Sequence, residues 1–290
     1  TYVYSESAIR RAYCDFDTSL AGQPHRICYA VKANSNIAIL QMLAELGAGF
    51  DIVSGGELRR VLTAGGTAEK IVFSGVGKQD WEIELALEAG IGCFNVESGS
   101  ELGRISRIAA ASNAVAPVSV RVNPDVDPKT HAYISTGLKE HKFGVSAAEA
   151  RTLYRVAAKN PNLNITGINC HIGSQITDLT PYLDALARLL TLVNALESDG
   201  ISVQHLDLGG GIGVRYRKEE PINLSDFAAA IGQAMIGHSQ ELVFEPGRLI
   251  VANAGLLLTR VNTLKQNDYR RFGVVDAAMN DLIRPSLYDA

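Results

Sequence analysis

The chain has 290 residues, 47% of them hydrophobic and 20% charged, enough to bury the core of one large α/β domain or of one to two ordinary ones. Its formal net charge is −4 with no long Lys/Arg run, which argues against nucleic acid as a partner. No stretch of about 18 apolar residues lacks polar breaks, and Thr1-Tyr2-Val3-Tyr4 shows no basic-then-apolar signal pattern, so neither a membrane span nor a secretory leader is expected.

Thr1–Tyr4 reads as an isolated strand. Short β-branched or aromatic runs then alternate with stretches that carry apolar residues at spacings of three and four. In chain order these are strand Ile27–Val31 and helix Ile37–Leu46, strand Phe50–Val53 and helix Glu57–Ala64, and strand Ile71–Phe73 and helix Trp81–Ala89. Strand Cys93–Val96 and helix Glu101–Ala111 follow, then strand Val118–Val122 and helix Ala147–Ala158. The series ends with strand Ile165–His171 and helix Tyr182–Glu197, strand Val203–Leu208 and helix Leu224–Met235, and strand Leu242–Phe244. Gly47, Gly65, Gly90 and Gly200 fall just past helix ends, where a left-handed cap is wanted. Leu256–Leu264 and Arg271–Asp276 read as further strands with no helix between them.

Eight strands, each feeding a helix, predict a (β/α)8 TIM-type barrel of about 250 residues, with a doubly wound open sheet as the rival. The placement of unusual polar residues favours the barrel. Lys32, Asp51, Ser54, Arg121, Asn123, His171, Gly209–Gly211 and Glu245 fall at the ends of several different strands, whereas an open sheet would concentrate them at one crevice. The expected division is a barrel over residues 5–255, with residues 1–4 and 256–290 as segments of an incomplete β-rich domain. The missing initial Met and the end at Ala290 without a closing element suggest a fragment of a longer protein.

Four motifs carry chemistry. Lys32 ends the apolar strand Tyr29-Ala30-Val31. A Lys so placed is expected to be partly desolvated, with a lowered pKa, and hence a usable amine nucleophile toward an aldehyde cofactor; a solvated Lys at a strand end is the bland alternative. His171-Ile172-Gly173-Ser174-Gln175 offers a flat ring for stacking and a hydroxyl for a phosphate, unless His171 is simply a core histidine bonded to backbone. Gly209-Gly210-Gly211-Ile212-Gly213 lets backbone N–H groups approach an anion, although a tight turn explains it equally well. Glu245-Pro246-Gly247-Arg248 puts a carboxylate in an apolar barrel mouth, where it needs a cation: either Arg248 or a protonated ring nitrogen. None of Cys14, Cys28, Cys93 and Cys170 forms a Cys-x-x-Cys pair, which reads as reduced, mostly buried thiols of a cytoplasmic protein; no metal site is expected.

In their order, Tyr29-Ala30-Val31-Lys32-Ala33-Asn34, His171–Gln175, Gly209–Gly211 and Glu245–Arg248 resemble the fold-type III decarboxylases dependent on pyridoxal 5′-phosphate (PLP), from Thr1 to Ala290. Phe50–Glu57, Arg121–Pro124, His141–Gly144 and Val275–Tyr288 look most like the diaminopimelate-specific branch of that family. The resemblance implies PLP as cofactor and decarboxylation of meso-2,6-diaminopimelate, the last step of lysine biosynthesis. It matches Lys32 to the Schiff-base lysine, Asp51 to the acid near it, and His171 to the residue stacked on the cofactor. Ser174, Gly210, Gly211, Glu245, Pro246, Gly247 and Arg248 match the remaining cofactor contacts, and Arg248, Arg284 and Tyr288 the substrate contacts; Lys32, His171 and Glu245 would be catalytic. It also implies a homodimer with a shared active site, and a Cys and a Tyr from a C-terminal β-domain beyond Ala290. A chain complete at Ala290 would then be weakly active or inactive. The competing readings are a related decarboxylase of ornithine, arginine or lysine, a non-catalytic PLP-binding barrel, and a PLP-independent barrel enzyme acting on a phosphosugar.

Overall fold

The structure, a computed structural model, describes residues 1–126 and 142–287. Eight parallel strands form a closed barrel: β2 (His25–Ala30), β3 (Gly49–Ile52), β4 (Ile71–Phe73), β5 (Cys93–Val96), β6 (Ala116–Arg121), β7 (Leu163–Asn169), β8 (His205–Asp207) and β9 (Glu241–Phe244). They follow one another around the barrel in chain order. Closure comes from β9 pairing with β2, with Ile27 opposite Phe244. This settles the choice between barrel and open sheet in favour of the barrel.

The strands form because both faces of a barrel strand are buried, one by the interior and one by helices, so apolar runs are retained with little alternation. All four residues of Gly49–Ile52 and of Cys93–Val96 are buried. Outside lie α1 (Glu6–Ser19), α2 (Ile37–Glu45), α3 (Gly55–Thr63), α4 (Asp80–Ala89), α5 (Gly99–Ala111), α6 (Ala147–Ala157), α7 (Thr180–Ser198) and α8 (Leu224–Ala234). A Ser-x-x-Glu device starts three of them. Ser54, Ser98 and Ser146 accept from the backbone N–H of Glu57, Glu101 and Glu149. Glu57 and Glu101 reach back to the N–H of Val53 and Glu97, both at 2.7 Å. Each such cap is worth about 1 kcal/mol, and it fixes the angle at which chain leaves the strand end where the polar residues sit.

Helix α1 has no counterpart in the sequence reading, which names no element between Tyr4 and Ile27. It buries Ile9, Tyr13 and Phe16 on a single stripe. Phe16 meets Phe227 of α8 and Phe244 of β9 at centroid separations of 6.2 and 5.5 Å, so α1 covers the seam where the barrel closes. Gly47, Gly65, Gly90 and Gly200 take φ values of +86°, +83°, +72° and +75°, the left-handed conformation their positions demanded.

After β9 come the short helix α9 (Arg248–Val251), strands β10 (Gly255–Leu257), β11 (Val261–Gln266) and β12 (Arg271–Val275), and helix α10 (Arg284–Leu287). The stretch read as one strand, Leu256–Leu264, is two. Its first part pairs with β1 (Tyr2–Tyr4) and its second with β12, both antiparallel. Cys28, Cys93 and Cys170 are buried thiols, while Cys14 is exposed on α1. Among the described residues, no helix is long and apolar enough to cross a membrane, and no cluster of His, Cys, Asp and Glu could hold a metal ion.

Candidate active site

The C-terminal ends of β2, β7 and β9 and the loop after β8 surround a cavity of about 350 Å³, within the range of small-molecule sites. Lys32, His171, Ser174, Gly211, Glu245, Gly247 and Arg248 line it, with Ala30, Ala33, Tyr216 and Ala252. The four sequence motifs, spread from Lys32 to Arg248 along the chain, therefore meet in one place. A larger hollow of about 460 Å³ beside Asn123 and Arg188 contains none of these residues.

Lys32 sits on a short 3-10 turn just past β2, its side chain 53% exposed toward the cavity. Its Nζ donates to Asp51 Oδ2 at 2.8 Å. Asp51, from the neighbouring strand β3, is fully buried, and its Oδ1 has no hydrogen-bond partner. The expectation of a lowered Lys32 pKa is overturned. Burial does push it down, but the carboxylates of Asp51 and Glu245 outweigh burial and hold the amine as an ammonium, above its ordinary range.

Glu245 ends the last strand and is buried. Arg248 is not its partner. That guanidinium donates to Ser174 Oγ at 3.1 Å and to the hydroxyl of Tyr216. Glu245 instead meets a polar layer inside the barrel. Asn95 Nδ2 lies 3.2 Å from Glu245 Oε1 and 3.4 Å from Asp207 Oδ2, and Ser74 Oγ donates to Glu245 at 3.4 Å. Ser119 Oγ donates to Asn95 Oδ1 at 2.5 Å, which fixes the amide so that its NH₂ faces the two acids. Burial, followed by the adjacent Asp207 and Asp51, pushes the Glu245 carboxyl well above the usual range. Burial raises Asp207 as well, and the two acids are hydrogen-bonded to each other. Two like charges in contact cannot both ionise in a dry interior, so the pair retains a proton until a cation arrives.

His171 lies two residues past β7. Its Nδ1 accepts from the Gly210 N–H at 3.3 Å, which leaves the ring proton on Nε2. Burial, then the charges of Arg121 and Lys32, keep its pKa well below the ordinary value, so the ring is neutral at neutral pH. His171 is bonded to backbone, as the bland reading has it, and it also lines the cavity.

Of the other expected residues, Gly210 and Pro246 stand behind the wall. Gly210 accepts from the Tyr182 hydroxyl at 2.9 Å, and the Pro246 carbonyl accepts from the Ala30 N–H at 3.0 Å. A Cβ on Gly210 would lie 2.2 Å from the Glu245 carbonyl oxygen, a backbone atom with no room to retreat. Gly210→Ala is therefore expected to cost about 1–3 kcal/mol of stability and to misplace Glu245, read as a lowered Tm together with weaker PLP uptake. Arg284, on α10, does not itself line the cavity but stacks on Tyr216, which does, its guanidinium carbon 3.6 Å from the ring centroid. Tyr288 lies outside the described residues.

Sequence reasoning missed Tyr216, Ser74 and the pairing of Asn95 with Asp207. Asn95 is a lone polar residue within an apolar strand and Asp207 lies between Leu206 and Leu208. Arg121, noted at a strand end, proves to be held by Glu97 Oε1 at 2.9 Å and lies over the Phe143 ring.

The residues suit an aldehyde cofactor with a ring nitrogen and an anionic group. An amine nucleophile and a buried acid to which no cation is hydrogen-bonded among the described residues share one cavity, and Ser174, Arg248 and the glycine loop form an anion-favouring wall. Comparison with known proteins places this arrangement in a class: residues 6–252 match the family described as pyridoxal-dependent decarboxylase, pyridoxal binding domain. The chain is 59% identical over 290 residues to the diaminopimelate decarboxylase of Pseudomonas aeruginosa, covering 100% of this chain and 70% of that protein. It is 55% identical, with the same coverage, to that of Haemophilus influenzae. The crystal structure of diaminopimelate decarboxylase from Helicobacter pylori complexed with L-lysine superposes with a TM-score of 0.97 at 46% identity, covering 100% of this chain and 73% of that one. The chain belongs to the pyridoxal-dependent decarboxylases, in the diaminopimelate decarboxylase family.

Proposed function

We propose that the chain binds PLP in the barrel mouth and removes carbon dioxide from meso-2,6-diaminopimelate to leave L-lysine. The observation that carries this reading is Lys32 and Glu245 lining one cavity, an amine at one wall and a buried acid at another. When bound, PLP supplies the electron sink that accepts the pair left behind by carbon dioxide. Lys32 would hold the aldehyde end, and Glu245 the proton on the ring nitrogen, which deepens the sink. His171, neutral, would press its ring on the cofactor face without adding charge. Ser174, Gly211, Gly247 and Arg248 would seat the phosphate, with Asp51, Gly210 and Pro246 supporting Lys32 and the wall. The test is carbon dioxide release from meso-diaminopimelate by protein supplied with PLP. Protein that takes up PLP but releases none refutes the reading.

Diaminopimelate carries an amino-acid group at each end, so one end must be recognised away from the chemistry. An Arg fork suits a carboxylate there. Arg284 is assigned this role, with Arg248 beside it and Tyr288 as a further contact. Arg284→Ala is expected to raise KM for diaminopimelate by about 10- to 100-fold and to erode its preference over lysine and ornithine. An unchanged preference in parallel assays of the three removes Arg284 from recognition.

The same reading treats residues 5–255 as the cofactor-binding barrel and residues 1–4 and 256–290 as parts of a β-rich domain. It places the protein in the cytoplasm as a homodimer whose partner completes the site. Leu264, Tyr269 and Phe272 on β11, β12 and their connection are exposed apolar residues, which supports burial of this region by further protein. Analytical ultracentrifugation reads the oligomeric state.

A further inference from the structure

Tyr216 lies in the loop that follows the glycine run, and nothing above gives it a task. Its ring touches two guanidinium groups. The Arg284 carbon Cζ lies 3.6 Å from the ring centroid and that of Arg248 5.7 Å away, while Arg248 Nη1 also donates to the Tyr216 hydroxyl. Arg248 leaves the end of β9 and Arg284 starts α10, so the ring joins a cation of the barrel to one of the C-terminal segment. Tyr216 also lines the cavity that holds Lys32 and Glu245.

Two guanidinium groups repel each other, and an aliphatic wall would let them part. The negative face of an aromatic ring attracts each of them, and the phenol oxygen accepts from one. A guanidinium held over a ring keeps its in-plane N–H donors for an anion, the edge that grips a carboxylate with two bonds. Ser174 fixes Arg248 from its other side at 3.1 Å, and the ring bridges Arg248 to Arg284.

We propose that Tyr216 is a specificity-determining positioning residue: it holds Arg284 beside Arg248 at the edge of the cavity, so that a substrate with a carboxylate at its far end is bound in preference to one with only an amine there. This rests on the reading that Arg284 receives the distal carboxylate. The ring face does the holding and the hydroxyl contributes less, so Phe serves in place of Tyr and Leu does not.

The experiment uses the holoenzyme in four forms: wild type, Tyr216→Phe, Tyr216→Leu and Arg284→Ala. Tyr216→Leu should raise KM for meso-diaminopimelate by about tenfold or more, with kcat and the PLP dissociation constant each within about threefold of wild type. The PLP constant is read by titrating apoprotein with PLP and following absorbance, independently of turnover. Tyr216→Phe should restore KM to within about threefold of wild type. Adding Tyr216→Leu to Arg284→Ala should raise KM little further, because Ser174 still fixes Arg248 and the ring no longer has Arg284 to place beside it. The proposal is overturned if Tyr216→Leu leaves KM unchanged while Arg284→Ala raises it; Arg284 then recognises substrate without the ring. It is also overturned if Tyr216→Leu weakens PLP binding as much as it raises KM, since the ring would then serve the cofactor. An unchanged KM in Arg284→Ala defeats the underlying reading, and the proposal with it.

Discussion

Lys32→Ala is expected to abolish the visible absorbance that PLP acquires on covalent attachment to protein, and to cut turnover on the order of a thousandfold or more, as loss of a nucleophile does elsewhere. The structure adds a constraint that the chemistry must satisfy. Attack on a carbonyl needs a neutral amine, yet Asp51 and Glu245 hold Lys32 as an ammonium. A proton must leave Nζ first, and Asp51 Oδ2 at 2.8 Å is the acceptor in place to take it. Lys32→Ala has a second effect, because it strips the buried Asp51 of its ion-pair partner. Lys32→Arg separates the two. An arginine can still pair with Asp51 but cannot shed its proton, so the fold should be kept and the absorbance should still be lost. Retained absorbance in either variant would show that the amine lies elsewhere.

The sequence exposed the architecture because barrel strands are buried on both faces and so read as short apolar runs. Helix α1 escaped because its buried stripe is only Ile9, Tyr13 and Phe16 in a segment otherwise rich in charge. The anchors of the site were legible for a related reason: Lys32 and Glu245 interrupt or end apolar runs, and Gly209–Gly211 is a conspicuous composition. What could not be read was how these residues act on one another. The charge of Lys32 depends on Asp51, in the adjacent strand, and on Glu245, in the last one, and single-residue reasoning about desolvation therefore had the sign reversed. Asn95 and Asp207 matter through the register of strands around a closed barrel, which brings β5, β8 and β9 to the same level. Tyr216 sits in the charged run Arg215-Tyr216-Arg217-Lys218, where nothing local marks it.

Glu245→Gln is expected to lower kcat about 100- to 1,000-fold while PLP still binds, because a preorganised charge next to the developing one is lost and the shape of the wall is kept. Among the described residues no cation is hydrogen-bonded to Glu245, and a protonated ring nitrogen would supply one. Without it, burial and Asp207 hold the acid's pKa up and the Glu245–Asp207 pair shares one proton; beside it, the Glu245 carboxylate becomes the favoured form. This coupling has a signature in the apoprotein. A carboxyl whose folded pKa is raised stabilises the fold fully at pH values below its unfolded pKa. That contribution is lost as pH rises through the raised folded value, since the unfolded chain gives up a proton that the folded one keeps. For Glu245 the loss begins near the ordinary glutamate value of 4.5 and continues upward, at about 1.4 kcal/mol per pH unit for each proton retained. Wild-type apoprotein should therefore lose stability toward urea from mildly acidic to neutral pH. Glu245→Gln should show a shallower slope, with Asp207 responsible for what remains. Equal slopes in the two proteins, or near-normal turnover in Glu245→Gln, would place the proton and the electrostatic support on another group.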